Sequence, residues 1–199
     1  MKKAVTHLKA ADQVMARIIA QVGPPRMHYQ EPTFETLVQS IVYQQLSGKA
    51  AGTIFGRLAA AASPLTEHSI KRLSAARMRG LGLSRQKVAY IRDLAQKTRA
   101  GHIEFAIIQN LSDEEVLTSL TEVKGIGVWT AQMFLLFALR RVDILPTGDL
   151  GIRSAIKKAY DLDKLPSADQ IRTIASPWHP YCSIASWYLW RSLGGAAGF

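Results

Sequence analysis

Apolar residues recur at steps of three and four along most of this 199-residue chain. This spacing matches the turn of an α-helix, about 3.6 residues, so each stretch presents one apolar face. No segment alternates apolar and polar residues for long enough to predict a β-strand. The sequence therefore predicts an all-α protein. Its clearest apolar stripe consists of Phe34, Leu37, Val38, Ile41, Val42 and Leu46.

Candidate N-caps divide the chain into separate helices. A serine stands three residues before a glutamate or glutamine at Ser112–Glu115 and at Ser167–Gln170, which is the spacing of a capping box. Ser84 precedes another apolar stripe, and an alanine-rich helix is predicted to begin at Ser47-Gly48. No long linker, low-complexity tract or internal repeat interrupts the pattern, so we expect a single domain.

The composition excludes several classes of protein. Hydrophobic residues make up 48% and charged residues 20% of the chain, which are ordinary values for a globular domain. The apolar runs are short and interrupted, so we expect neither a membrane span nor an export signal. Cys182 is the single cysteine, which excludes an intrachain disulfide and the thiolate sets of iron–sulfur clusters and zinc sites. A reducing compartment fits this composition.

The formal charge of +10 at pH 7 is concentrated in one stretch. Nine basic residues lie between Lys71 and Arg99, against the single acid Asp93. Cations laid along a phosphate backbone release condensed counterions, so the stretch favours a polyanion as partner. A solvated basic face that only aids solubility is the alternative, and charge alone leaves DNA, RNA and anionic membranes open.

Residues 120–134 carry the most informative local pattern. A helix is predicted to end near Val123, a tight turn uses Gly125 and Gly127, and a second helix runs to about residue 139. Ile126 is expected to anchor the turn in the core. Main-chain amides at the start of the second helix lack intrahelical partners and lie at its positive end, so they can hold a phosphate. A plain connection between two helices is the alternative.

The segment that follows the hairpin makes the pattern more specific. It is a glycine- and proline-containing loop that leads into an aspartate, Pro146-Thr147-Gly148-Asp149. With the segments 40–47, 81–87 and 178–180, it resembles the helix-hairpin-helix DNA glycosylase superfamily, and most closely the 3-methyladenine DNA glycosylase II family. The resemblance extends over about residues 30–193, in the family's order.

The resemblance implies two helical lobes with a cleft between them, within one domain over residues 1–199. The central lobe is expected at about residues 35–145, and the other lobe combines the N-terminal segment with about residues 146–199. Fuller members of the family carry an additional N-terminal β-rich domain. This chain is too short for it, so we expect none of the substrate contacts that such a domain would make.

Asp149 is the residue on which the functional interpretation depends. It stands immediately before an amphipathic stretch, so its position alone predicts a helix N-cap. The resemblance implies that it is also the catalytic carboxylate. The two roles are compatible. In the catalytic role, the carboxylate stabilises the positive charge that develops on the sugar when a base leaves, and it can orient the attacking water.

Trp129 bears on the type of reaction. In relatives that also cut the DNA strand, a lysine follows the Gly-x-Gly-x segment and forms a Schiff base with the sugar. This sequence has Trp129 at that place, so the resemblance implies base removal without strand cleavage.

Aromatic residues are the candidates for holding an extruded base by stacking. The resemblance places Trp129 and Trp178 against the base, with Tyr43 as a weaker third candidate. Packing in the core is the alternative for each of them. For Trp187 and Trp190, which lie within one predicted helix, we favour packing.

Contacts to the duplex are expected from three places. Gln45 or Leu46 is the candidate wedge that fills the vacated space, although Leu46 also completes an apolar stripe. Gln44 is predicted to line the pocket or to contact the opposite strand. The remaining candidates for DNA contact are Lys124, Gly125, Gly127 and Thr130 of the hairpin, and Arg85 and Lys87 of the basic stretch.

The resemblance also implies a monovalent cation, Na⁺ or K⁺, on the backbone carbonyls of Thr121, Val123 and Gly125, with no cofactor required for the reaction. We expect a monomer that acts on double-stranded DNA containing alkylated purines. It would lie in the bacterial cytoplasm and nucleoid, or in the nucleus of a eukaryote. The alternatives are a glycosylase for uracil, mismatched thymine or oxidised guanine, and a non-catalytic DNA-binding protein.

Overall fold

The computed structural model describes residues 1–194, and within them helices are the only regular secondary structure. The predicted all-α fold is therefore confirmed. None of the helices described is long and apolar enough to cross a membrane. The α-helices are α1 (Lys2–Ala11), α2 (Gln13–Val22), α3 (Phe34–Tyr43), α4 (Gly48–Ala61), α5 (Glu67–Arg72), α6 (Ala75–Gly80), α7 (Arg85–Arg99), α8 (Asp113–Thr121), α9 (Val128–Phe137), α10 (Leu150–Ala159), α11 (Ala168–Ala175) and α12 (Cys182–Ser192), with short 3₁₀ helices at Ile108–Asn110 and Ser176–Trp178.

The helix starts predicted from serine residues are confirmed. The Ser84 hydroxyl accepts a hydrogen bond from the Lys87 amide at 3.2 Å and caps α7. Complete capping boxes begin α8 at Ser112–Glu115 and α11 at Ser167–Gln170. These local contacts are readable from sequence because both partners lie within one helical turn.

The described chain divides into two compact units. The terminal unit comprises Met1–Tyr29 and the described residues from Leu135 onward, and the central unit comprises Gln30–Phe134. The division lies inside α9, rather than near residue 145 as the resemblance implied. The residues of α9 next to the division are buried, as Phe134 and Leu135 illustrate.

In the central unit, the apolar stripe of α3 is buried, but it stops earlier than the sequence suggested. Helix α3 ends at Tyr43, and Leu46 lies beyond it with 40% of its surface exposed. The alternative interpretation, in which Leu46 packs in the core, is therefore wrong. The Phe105 ring contacts Phe34 and Phe134 edge to face, with centroids 6.4 and 6.5 Å apart, and so joins the start of α3 to α9.

In the terminal unit, the Asp12 carboxylate connects three separate segments. Oδ1 accepts the Val14 and Met15 amides at 2.8 and 3.1 Å and caps α2. Oδ2 accepts Trp178 Nε1 at 2.8 Å and also the Tyr160 hydroxyl. Burial raises the pKa of Asp12, but these hydrogen bonds outweigh burial and hold the pKa below its ordinary value.

Replacement of Asp12 by alanine is expected to lower the free energy of unfolding by about 3 kcal/mol, because it removes a cap and leaves the Trp178 and Tyr160 donors without their acceptor.

The stabilisation by the Asp12 carboxylate should depend on pH. Because the folded-state pKa of Asp12 is lowered, this stabilisation is complete above the unfolded-state value of 3.8 and is lost as the pH falls through the folded-state pKa. Urea unfolding of the wild type and Asp12→Asn should show the shallower pH dependence in the variant. Asp163→Asn, at an exposed position, is the control.

Candidate active site

The turn between α8 and α9 requires glycine at position 125. Gly125 has φ +82°, a conformation that side chains disfavour, and a Cβ there would lie 2.1 Å from the Tyr90 ring. Ile126 is 3% exposed, so it anchors the turn in the central unit as predicted. The tightness of this hairpin therefore rests on contact with α7, which carries Tyr90.

The second glycine lies in open space. Apart from the two chain neighbours, no heavy atom of the described residues 1–194 lies within 4 Å of a Cβ built on Gly127, which directly precedes α9. An approaching ligand therefore has room at the helix N-terminus, where main-chain amides lack intrahelical partners. Val128 and Trp129 are 59% and 46% exposed, whereas Thr130 is 6% exposed. Thr130 is therefore less accessible to a phosphate than the two residues before it.

Three side chains of α7 stabilise the hairpin and the end of α3. Lys87 Nζ donates to the Val42 and Gln44 carbonyls, each at 2.7 Å. Asp93 accepts the Lys124 amide at 2.9 Å, and Lys97 donates to the Glu122 carbonyl. These contacts satisfy main-chain groups left unpaired where helices end.

In this conformation Lys87 is committed to the protein, so its predicted contact with DNA would require these two hydrogen bonds to break. Its ammonium group is directed into the protein by the two carbonyls of α3 and the residue after it, and burial lowers its pKa. Arg85, at the first position of α7, and Lys124, in the hairpin, are both exposed. Both residues are therefore accessible to a phosphate, and their contact with DNA stays a prediction.

Gln44 contacts the hairpin rather than open space. Its Nε2 donates to the Gly125 carbonyl at 2.9 Å, within the central unit. In this conformation the Gln44 amide nitrogen is committed to the turn, so its predicted contact with a base or the opposite strand would require this bond to break. Tyr43, the last residue of α3, is half-buried, and its hydroxyl lies 3.3 Å from the position of a Cβ on Gly52.

Gln45 and Leu46 lie at the exposed break between α3 and α4. Gln45 has φ +57°, which is uncommon for a residue with a side chain, and both residues are exposed. Strain of this kind is frequent at functional sites. Both line a cavity of about 330 Å³ together with Gln44, Lys87 and Tyr90. The break therefore stays available for either residue to act as the wedge.

In the terminal unit, Asp149 caps α10 as its position predicted. Its Oδ1 accepts the Ile152 amide at 2.7 Å and Trp190 Nε1 at 2.8 Å. The Trp190 ring stacks on Phe137, with centroids 6.1 Å apart and an interplanar angle of 30°. Sequence reasoning assigned Trp190 to packing and missed its bond to Asp149, because no local spacing signals a contact between residues so far apart in the chain.

The structure contradicts the predicted role of Trp178. Its side chain is 0% exposed, and its indole N–H is bonded to Asp12. A base cannot stack on a ring that is enclosed in this way. Trp187, which we assigned to packing, is buried as expected, with 4% of its surface exposed.

Carbonyl oxygens are the kind of ligand that hard cations prefer, and two of the three carbonyls expected to hold a monovalent cation accept hydrogen bonds within the protein. The Val123 carbonyl accepts the Ile126 amide at 3.0 Å, and the Gly125 carbonyl accepts Gln44 Nε2 at 2.9 Å. A carbonyl oxygen has two lone pairs, so each retains one for an ion. Thr121 is the third residue of the expected set.

Known proteins are similar to this chain along almost its whole length. Residues 38–180 match the sequence profile described as HhH-GPD superfamily base excision DNA repair protein. DNA-3-methyladenine glycosylase 1 of Schizosaccharomyces pombe is 32% identical over 199 aligned positions, which cover 96% of this chain and 87% of that protein. The resemblance identified from sequence motifs is therefore confirmed.

Solved structures agree with this match. A DNA-3-methyladenine glycosidase from Bacillus halodurans superimposes with a TM-score of 0.86 at 33% identity, covering 96% of this chain and 89% of that one. The 3-methyladenine DNA glycosylase of Schizosaccharomyces pombe, in complex with abasic DNA, gives a TM-score of 0.81 at 34% identity, covering 95% of both chains.

The two hairpin glycines are expected to differ in their effect on stability. Gly125→Ala should lower the free energy of unfolding by more than about 2 kcal/mol, because the methyl group strains the backbone and meets Tyr90. Gly127→Ala should cost less than about 1 kcal/mol, because its Cβ enters open space. Urea unfolding of both variants measures the difference. Equal losses would contradict the assignment of Gly127 to ligand access.

Proposed function

Since the chain belongs to the HhH-GPD superfamily of base excision DNA repair proteins, we propose that it hydrolyses the N-glycosidic bond of alkylated purines in double-stranded DNA. The observation that carries the proposal is Asp149, a carboxylate held at the N-terminus of α10 by two hydrogen bonds to Oδ1. The relatives named as 3-methyladenine glycosylases support the choice of substrate class.

Asp149 would act on the sugar. Departure of the base leaves positive charge at C1′ and the ring oxygen, and a nearby carboxylate stabilises that charge. The same carboxylate can orient a water molecule and accept its proton as the water adds to C1′. The carboxylate lies at the N-terminus of α10, which is the positive end of the helix dipole.

The leaving group explains why alkylated purines suit this site. A purine methylated at N3 or N7 is already cationic, so it departs without protonation by an acid. Asp143, the nearest preceding carboxylate in the sequence, is committed elsewhere, since it pairs with His179 at 2.8 Å and accepts the Cys182 amide at 3.1 Å. These bonds hold the pKa of Asp143 below its ordinary value despite its burial, so it is a poor proton donor.

We further propose that the reaction ends with an abasic site. Strand cleavage by related enzymes needs an amine that forms a Schiff base with the sugar. Trp129 occupies that position here, in the first turn of α9. With 46% of its surface exposed, Trp129 is also the remaining tryptophan candidate for stacking on an extruded cationic base.

The hairpin would hold the DNA backbone. Open space at Gly127, the exposed side chain of Lys124 and the first-turn amides of α9 together suit one phosphate. A monovalent cation on the carbonyls of Thr121, Val123 and Gly125 would add positive charge near that phosphate.

Asp149→Asn is expected to slow release of 3-methyladenine or 7-methylguanine by at least about 10³-fold, because asparagine keeps a capping oxygen but lacks the charge. The assay is single-turnover release from a panel of duplexes that also carry ethenoadenine and uracil. Full activity in this variant, with Asp163→Asn as the control, would overturn the mechanism. Uracil as the preferred substrate would overturn the substrate class.

The same reactions test the end point, because the products can be separated before and after treatment with alkali. We expect intact strands containing abasic sites until alkali is added. Strand breaks that appear in step with base release would contradict the proposal for Trp129.

Gly127→Ala is expected to weaken binding to an abasic duplex roughly ten-fold, because the methyl group occupies the space for a phosphate. Its salt dependence should match that of the wild type, since no charge is lost. Lys124→Gln should instead lower the slope of log affinity against log salt by about one. Fluorescence anisotropy over a range of KCl concentrations measures both, and unchanged affinity in Gly127→Ala would remove the hairpin from the binding site.

A further inference from the structure

We propose that Trp190 and Gly151 are positioning residues that fix the orientation of the Asp149 carboxylate. This inference rests on the proposed catalytic role of Asp149. Neither residue is assigned chemistry of its own. Their effect is to present the carboxylate to the sugar in one orientation.

The two hydrogen bonds to Oδ1 come from different helices. The Ile152 amide, at 2.7 Å, belongs to the helix that Asp149 caps, and the Trp190 indole, at 2.8 Å, belongs to α12. A capping bond alone leaves the side chain free to rotate about that contact. A second donor from another direction removes this freedom, so the position of Oδ2 is fixed as well.

Trp190 is itself held in place. Its ring stacks on Phe137 of α9, with centroids 6.1 Å apart and planes 30° apart. Stacking sets the plane of the indole, and the plane sets the direction of the Nε1–H bond. A ring packed only for its apolar area would not need its N–H to point at a carboxylate.

Gly151 provides the room for this contact. A Cβ there would lie 3.0 Å from Asp149 Oδ1, 3.0 Å from Trp190 Cδ1 and 3.2 Å from Trp190 Nε1. Gly151 is helical and its φ is ordinary, so the backbone does not require a glycine. The absence of a side chain is therefore explained by the hydrogen bond that passes across this position.

Both hydrogen bonds meet at one carboxylate oxygen, Oδ1, and their donors belong to different helices. Together they set the direction in which the carboxylate faces. Small displacements of a reacting group from its productive position can cost a factor of about 10² in rate.

Trp190→Phe removes the N–H and keeps a ring on Phe137. We expect the single-turnover rate constant for base release to fall roughly 10- to 100-fold, with abasic-DNA affinity unchanged within about two-fold. Trp187→Phe is the matched control, because it removes an indole N–H from the same helix at a buried position. A rate in Trp190→Phe within two-fold of the control, or a loss that tracks thermal stability in both variants, would overturn the inference.

A double-mutant cycle separates positioning from a general structural effect. If Trp190 acts through the charge of Asp149, then Asp149→Asn/Trp190→Phe should release bases no more slowly than Asp149→Asn alone. Additive losses would overturn the inference and leave the role of Asp149 intact. Full activity in Asp149→Asn would instead refute the catalytic role of Asp149 on which the inference rests.

Gly151→Ala provides a second, independent perturbation with every hydrogen-bonding group retained. The methyl group should displace Asp149 or Trp190 and slow base release at least about ten-fold, while the helix propensity of alanine limits any loss of stability. Base release at the wild-type rate in this variant would show that the close approach at Gly151 does not position the carboxylate. This result would count against the inference even if Trp190→Phe failed to fold.

Discussion

Main-chain groups left unpaired at helix ends are the constraint around which this protein is built. The central unit satisfies them with side chains of α7, where Lys87 binds carbonyls at the end of α3 and Asp93 binds the Lys124 amide in the hairpin. The terminal unit satisfies them with carboxylates, since Asp12 caps α2 and Asp149 caps α10. Buried polar groups must find such partners for the chain to fold, and the same contacts create the candidate site.

The basic stretch illustrates how one composition serves two purposes. Lys87 and Lys97 donate hydrogen bonds to main-chain carbonyls of the central unit, whereas Arg85 is exposed at the start of α7. A count of cations cannot separate these groups, because each lysine or arginine contributes equally to a formal charge. Their division between structure and nucleic-acid binding depends on which face of α7 each side chain occupies, and thus on helix packing.

The tryptophans also show that residue type alone does not reveal what a side chain contacts. Of the two tryptophans that the family resemblance placed against a base, Trp129 is exposed, but Trp178 is enclosed and bonded to Asp12. Trp190, which the sequence pattern assigned to packing, instead donates to Asp149. All three side chains have the same chemistry, so sequence cannot tell which indole reaches a ligand, a cap or a carboxylate. Burial and direction decide this, and both belong to the folded chain.

The sequence by itself determined the features that arise within a few residues. These were the helical fold, the serine caps, the place of the glycine turn in the chain, and Asp149 at the start of α10, because the signal for each lies within about one helical turn of sequence. Only the tertiary structure decided that Lys87 is a structural residue and that Trp190 and Gly151 surround Asp149. Such contacts join segments distant in the chain, and their geometry exists only once the helices have packed.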